Sequence, residues 1–317
     1  MIFRPQFFRG VVWALLAVLS WGPMFPLAKR TLVSIDPYTL GSIRYLIGVA
    51  VLAALLAVIE GRGAFSYAGR FLHAALLGVI GITGFNALVW FGLSFTQPEH
   101  TSIILALQAP IAALAVWLLR GQRPAGFTLG CSVLAFAGVL LVITRGDPRG
   151  ALSGFGAGGA ELLGDLLVLL GGASWVIYGL GGASFAGWSA LRFTTLTGIP
   201  GALGLCVLNA IAVATGHASP PVVDVLLAHA WQIGYLSIVS VVLGVFSFNA
   251  AVKHLGTLDT TLLLNLVPVT VFGIEAALGR SFAAVELAGA GVVIAALVAN
   301  NLYLRRRWRA EQPRRAA

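Results

Sequence analysis

GVVWALLAVLSWGPMFPLAKR, residues 10–30, is apolar enough for a membrane helix until it reaches Ser20-Trp21-Gly22-Pro23 and then a second proline, Pro26. GDLLVLLGGASWVIYGLGG, residues 164–182, begins the same way. Gly10 and Gly164 are each followed ten residues later by Ser-Trp, as Ser20-Trp21 and Ser174-Trp175, a shift of 154. Two membrane-length runs with one small motif in common suggest a chain built twice. The second copy has glycines where the first has prolines, so the shared element is the Ser-Trp position. Pro23 and Pro26 are expected to weaken the outer end of the first helix, and Gly22 to let a backbone or a solute approach Trp21.

Of the 317 residues 59% are hydrophobic and 10% charged, a balance that excludes a soluble globular protein. A helix needs about 20 apolar residues to cross roughly 30 Å of hydrocarbon. Such runs fall at 9–28, 38–59, 71–95, 100–119, 126–144, 162–183, 190–214, 228–252, 257–278 and 283–303. Segments such as 49–59 and 132–143 are apolar on both parities, which excludes an outer-membrane barrel. The expected fold is an all-α integral membrane protein with ten transmembrane helices. Arg4 and Arg9 before the first run imitate a signal peptide, but no small-x-small site follows, so the run is kept as helix 1. Cys131 and Cys206 lie inside apolar runs and read as small packing residues.

Other pairs repeat in the same order. Ser42-Ile43-Arg44-Tyr45 matches Ala190-Leu191-Arg192-Phe193 at a shift of 148, and Pro110 with Gly121 matches Pro268 with Gly279 at 158. Residues 9–145 and 162–304 therefore read as two five-helix repeats, with 305–317 as a basic tail. An odd number of helices makes the second repeat enter the membrane from the opposite side, so the repeats are inverted. That architecture is common in transporters, where it supports alternating access to a site near the midplane.

Thirteen of the 20 Lys and Arg lie on the side of the termini and five on the other, Lys29, Arg30, Arg145, Arg149 and Arg280. The bias places both termini in the cytoplasm. The net charge of +9 and the run RRRWRAEQPRR at 305–315 directly follow a membrane helix. They read as a topology anchor touching lipid headgroups, with no nucleic-acid partner.

Enzyme signals are scarce. His73, His100, His217, His229 and His254 lack metal-ligand spacing, and the glycines at 154–159 lack the lysine of a phosphate-binding loop. No cofactor, metal or ATPase subunit is expected. Polar groups inside apolar runs are more informative, because an unsatisfied amide in hydrocarbon is costly and such residues face a cavity or another helix. Asn86, Gln108, Asn249 and Asn265 are the candidates for hydrogen bonds to a solute, with helix-to-helix bonding as the plainer account. Trp21, Trp90, Trp175 and Tyr178 are the candidate apolar walls, with Tyr45, Phe85 and Phe248 in the same aromatic group.

Arg44 and Arg192 lie less than two turns into their helices and read as snorkelling, the alternative being that Arg44 attracts a solute carboxylate. Glu275 reads as an interfacial partner of Arg280, the alternative being proton coupling. Pro110 and Pro268 each remove a helical hydrogen bond in mid-span, and their matched places make them candidate gating hinges.

Ser20-Trp21-Gly22 with Phe25 and Lys29, Pro37 and Arg44, Pro110 and Gly121, Gly130 and Gly138, then Ser174-Trp175, Pro268 and Gly279 together carry a resemblance. The chain resembles the EamA-domain branch of the drug/metabolite transporter superfamily, and within it the YddG-type amino-acid exporters, from about residue 10 to 303. The resemblance implies solute export across the bacterial cytoplasmic membrane. The family often carries Gly-Glu after helices 4 and 9, whereas Gly121-Gln122 and Gly279-Arg280 stand here, so no role of that glutamate carries over. The expected function is export of neutral, preferentially aromatic, amino acids by alternating access. The alternatives are transport of a nucleoside or cofactor precursor and, further off, a membrane-embedded enzyme.

Overall fold

The computed structural model describes residues 5–121, 123–147, 159–255, 260 and 263–315, without the side chains of 5, 6, 119, 120, 253 and 308–315. The expected start of helix 9 at 257, the glycines at 154–158 and Gln122 lie outside the described residues. The chain is an all-helical membrane protein of ten helices in two inverted five-helix repeats: nine of the described helices are long and apolar enough to span a membrane, and a tenth is shorter.

Helix α1 comes in two pieces, Pro5–Trp21 and Met24–Thr31, followed by α2 Pro37–Ile59 and α3 Phe71–Phe95. Helix α4 is also divided, into Pro98–Ala106 and Gln108–Arg120, and α5 is Gly126–Thr144. In the second repeat α6 is Gly159–Gly182 and α7 is Ala190–Ala214. Helix α8 runs from Ala230–Gly234 through Tyr235–Leu243 to Gly244–Leu255. The described part of α9 is Leu266–Ala277, and α10 is Ala284–Arg315. This last helix continues through the basic residues, since no proline or glycine interrupts Leu304–Gln312.

Local chemistry repeats along with the helices. Asp36 caps α2 by accepting the Thr39 amide at 2.9 Å, and Ser189 caps the matching α7 by accepting the Arg192 amide at 2.9 Å. Gly121 after α4 and Gly279 after α9 both take left-handed conformations, with φ of 66° and 94°. A side chain would strain that backbone, which explains why this glycine pair stands out in the sequence.

Packing follows the same twofold pattern. Helix α1 lies on α8 and its mate α6 lies on α3, while α2 pairs with α7, α5 with α10 and α4 with α9. Each pair joins the two repeats. Helices α5 and α10 approach so closely that a Cβ on Gly138 would stand 2.8 Å from the Gly289 carbonyl oxygen, and the reverse distance is also 2.8 Å. Lipid offers no hydrophobic drive for such contacts, so backbone approach through small residues supplies the attraction. Both termini lie at one end of the bundle; the other is called the far end below.

Candidate central cavity

Three kinds of helix irregularity converge at the middle of the bundle. The first is the break in α1. Pro23 has no N–H for the Leu19 carbonyl, and the Tyr235 hydroxyl takes over, 3.3 Å from Leu19 O and 3.1 Å from Ser20 O. The break turns Trp21, Met24 and Phe25 toward the interior, where all three line a cavity.

The second is a matched pair of breaks in α4 and α9. Leu107 and Asn265 flatten to ψ of −1° and −8°, each three residues before a proline, Pro110 or Pro268. Those prolines withhold the amides that Ala106 and Leu264 would bond, and Ala106, Leu264, Asn265 and Pro268 face the cavity.

The third is a wide-turned π-helical stretch in each of two matching helices, Val79–Gly84 in α3 and Tyr235–Leu243 in α8. Such winding leaves carbonyls outside the regular ladder and is frequent at functional sites. Here side chains take them. Asn86 Nδ2 donates to Ile82 O at 2.7 Å, Arg44 Nε to Leu236 O at 3.1 Å and Trp21 Nε1 to Ser240 O at 2.9 Å.

The cavity between these elements has a volume of about 170 Å³. That is below the roughly 300–1,000 Å³ of sites for drug-sized ligands, so it suits a small metabolite. Its wall is aromatic on both sides. Trp21 and Trp175 both line it, Trp175 lying 5.1 Å from the Phe85 ring and Trp21 5.8 Å from that of Phe248. Its polar lining includes Ser102, Gln108, Ser240 and Asn265, and one full charge, Arg44.

Arg44 is 3% exposed and does not snorkel, contrary to the reading favoured from its position in the helix. Its guanidinium is bound on all sides, by Leu236 O, by Asn86 Oδ1 at 2.9 Å, by Ser240 Oγ at 3.0 Å and by Met24 Sδ at 3.4 Å. Below it lies the Trp90 ring, 4.5 Å from Cζ. Among the described residues no carboxylate comes within ion-pair distance of it. Removing a charge from water costs several kcal/mol unless it is matched, so a guanidinium balanced only by dipoles is ready for an anion.

The sequence model of the EamA-like transporter family matches residues 8–144 and again 162–302. The chain belongs to the EamA-like transporter family. This EamA-like transporter is 31% identical to the uncharacterized transporter YrdR of Bacillus subtilis over 306 residues, 96% of this chain and 94% of that protein. It is also 31% identical to the uncharacterized transporter YyaM of the same organism, across 86% and 87% of the two chains. An uncharacterized transporter of Archaeoglobus fulgidus matches at 28% over 80% of this chain and 83% of its own. A crystal structure with 21% sequence identity superposes with a TM-score of 0.64 over 94% of this chain and 98% of that one, a likeness of fold.

The residues singled out in the sequence divide into two groups. Trp21, Gln108, Trp175, Asn265, Pro268 and Arg44 line the cavity. Asn86 and Trp90 stand behind Arg44, with Trp90 Nε1 donating to Asn86 Oδ1 at 2.8 Å. Tyr178 is buried against Thr197, 2.9 Å from its hydroxyl, and stacks on Trp175 from outside the lining. Asn249 and Pro110 are not among the lining residues. Glu275 is not one either, and Arg280 turns away from it to pair with Glu99 and Glu286. Ser102 and Ser240 escaped the sequence reading because serine is common in membrane helices and carries no pattern of its own.

Proposed function

We propose that this EamA-like transporter exports neutral, preferentially aromatic, amino acids across the bacterial cytoplasmic membrane by alternating access. The observation that carries the reading is Arg44, a buried guanidinium with no carboxylate beside it among the described residues, on the wall of a small aromatic cavity. A zwitterionic amino acid supplies what this wall lacks. Its carboxylate meets Arg44, its side chain lies between Trp21, Trp175 and Phe85, and its ammonium faces the amide and hydroxyl oxygens of Gln108, Asn265 and Ser102. Asn86 and Trp90 hold the guanidinium in place.

Both termini are taken to lie in the cytoplasm on the strength of the Lys and Arg bias, with the basic end of α10 against lipid headgroups. Pro110 and Pro268 act as paired hinges, because the breaks they cause border the cavity from both repeats. The solute and lipid are the partners on this reading; neither nucleic acid nor an ATPase subunit takes part.

The test is flux in proteoliposomes with radiolabelled tryptophan, phenylalanine, methionine, threonine and a nucleoside. Saturable movement of the aromatic amino acids, lost in Arg44→Gln, supports the reading. Movement of the nucleoside without the amino acids would overturn the substrate. A cofactor precursor bearing a carboxylate is the second reading, since the same guanidinium would receive it.

A further inference from the structure

Where α3 turns into α4 at the far end, Thr96 and His100 of the first repeat meet Asp165 of the second. Thr96 Oγ1 donates to Asp165 Oδ1 at 2.5 Å, and His100 Nδ1 lies 3.3 Å from Asp165 Oδ2. Thr96 and His100 are wholly buried and Asp165 is 2% exposed. Helix α4 begins at Pro98, so Glu99 and His100 occupy its first turn, and α6 begins at Gly159, which puts Glu161 and Asp165 one turn apart on one face. Among the described residues the other ring nitrogen, His100 Nε2, is buried with no hydrogen-bond partner. A buried polar atom without a partner is costly, and a functional role accounts for tolerating it.

Carboxylates gather around that ring. Glu161 Oε1 lies 3.8 Å from His100 Nδ1, so two carboxylates of α6 face the imidazole. Arg145 at the end of α5 is 3.5 Å from Glu161 and 3.5 Å from Glu286 of α10, while Asp165 is held by Thr96 and His100. Glu99 pairs with Arg280, which also reaches Glu286 at 3.7 Å. Lys29 of α1 is within electrostatic reach of Glu161 and Glu99, and Glu275 of α9 is within reach of Glu99. Among the described residues no group of three His, Cys, Asp or Glu could hold a metal ion. The opposite end is fastened differently, by exposed hydrogen bonds such as Arg70 to Ser184 O at 2.7 Å and Arg192 to Ser66 O at 2.6 Å.

We propose that His100, oriented by Asp165, binds a proton that moves opposite to the solute, and that its protonation closes the far end. The proton adds to the free lone pair of Nε2, giving an imidazolium. Its positive charge, on the first repeat, is attracted to two carboxylates of the second, which draws the repeats together. Release of the proton to the side of the termini, once the cavity faces that way, weakens that attraction and lets the far end open. A proton entering from the far side therefore favours closure behind a departed solute, the order that an exporter needs. The direction of solute movement rests on the function proposed above; the proton site itself does not.

The experiment has two arms. In the first, purified protein carrying ¹⁵N-labelled histidine is titrated by NMR between pH 5 and 9, with the His100→Gln variant assigning the signal. The His100 resonance is expected to titrate, and Asp165→Asn is expected to weaken its proton affinity roughly tenfold. No titration, or an unchanged midpoint in Asp165→Asn, overturns the site whatever the substrate is. In the second arm, proteoliposomes loaded with tryptophan are given an acid exterior at the far face. Wild-type efflux is expected to rise several-fold. His100→Gln should keep the wild-type melting temperature in detergent, which shows that it is folded, but lose the response. A response in His100→Gln equal to wild type overturns the coupling. Absence of any tryptophan movement, with His100 titrating as expected, overturns the substrate assignment and leaves the proton site standing.

Discussion

Arg44 Nη1 donates to Asn86 Oδ1 at 2.9 Å, and the same oxygen accepts Trp90 Nε1 at 2.8 Å. One amide oxygen thus positions both the guanidinium and the ring beneath it, while the amide nitrogen is held by Ile82 O in the π-helical stretch of α3. The arrangement keeps a full positive charge at the cavity wall without neutralising it.

Asn86→Asp should therefore cripple binding without unfolding the protein. A carboxylate at this position supplies the anion that the solute otherwise brings, and KM for tryptophan is expected to rise at least about tenfold. Asn86→Ala leaves Arg44 and Trp90 each short of a bond in a buried site. It should lower stability by about 1–3 kcal/mol, read as an earlier transition in detergent thermal melts.

Trp21 and Trp175 occupy matching places in the two repeats and both line the cavity, so their replacement should affect solutes by side-chain size. Trp175→Ala is expected to weaken tryptophan binding more than threonine binding, by about 1–2 kcal/mol. Trp21→Phe keeps the ring but loses the bond from Nε1 to Ser240 O, and a several-fold rise in KM, about 1 kcal/mol, is expected from competition binding.

The double variant Pro110→Ala, Pro268→Ala restores two amides and regularises α4 and α9. If the breaks at Leu107 and Asn265 are hinges, turnover slows at least several-fold while equilibrium binding changes little. Normal turnover in the folded double variant would make the prolines static kinks.

Gly138→Val tests the fold itself. Its side chain would meet the Gly289 carbonyl oxygen from a Cβ position only 2.8 Å away, and backbone cannot yield as a side chain can. Separation of α5 from α10 should cost about 1–3 kcal/mol and lower the melting temperature in detergent.

The ten-helix architecture was legible because membrane spans announce themselves by length and because proline, glycine and Ser-Trp recur at nearly constant shifts. The same repeat logic singled out Trp21 and Trp175, which line the cavity, and Pro110 and Pro268, which stand beside the breaks in α4 and α9. It failed where packing breaks the twofold. Arg44 and Arg192 align in sequence, yet Arg44 is buried at the cavity and Arg192 bonds Ser66 at the surface of the opposite end. Nothing local distinguishes them, because the difference lies in Asn86, Ser240 and Leu236, contributed by two other helices. The far-end charges were missed for a related reason: His100 and Asp165 are 65 residues apart, with the rest of α4 and all of α5 between them, and only the packing of α6 against the α3–α4 turn joins them.

The role of Arg44 is tested most directly by comparing tryptophan with tryptamine, which lacks only the carboxylate, in calorimetric binding to wild type and to Arg44→Gln. The account predicts that tryptamine binds wild type at least about thirtyfold more weakly, roughly 2 kcal/mol, and that the difference falls to within about twofold in the variant. Equal binding of the two ligands to wild type, or an undiminished difference in Arg44→Gln, would contradict it.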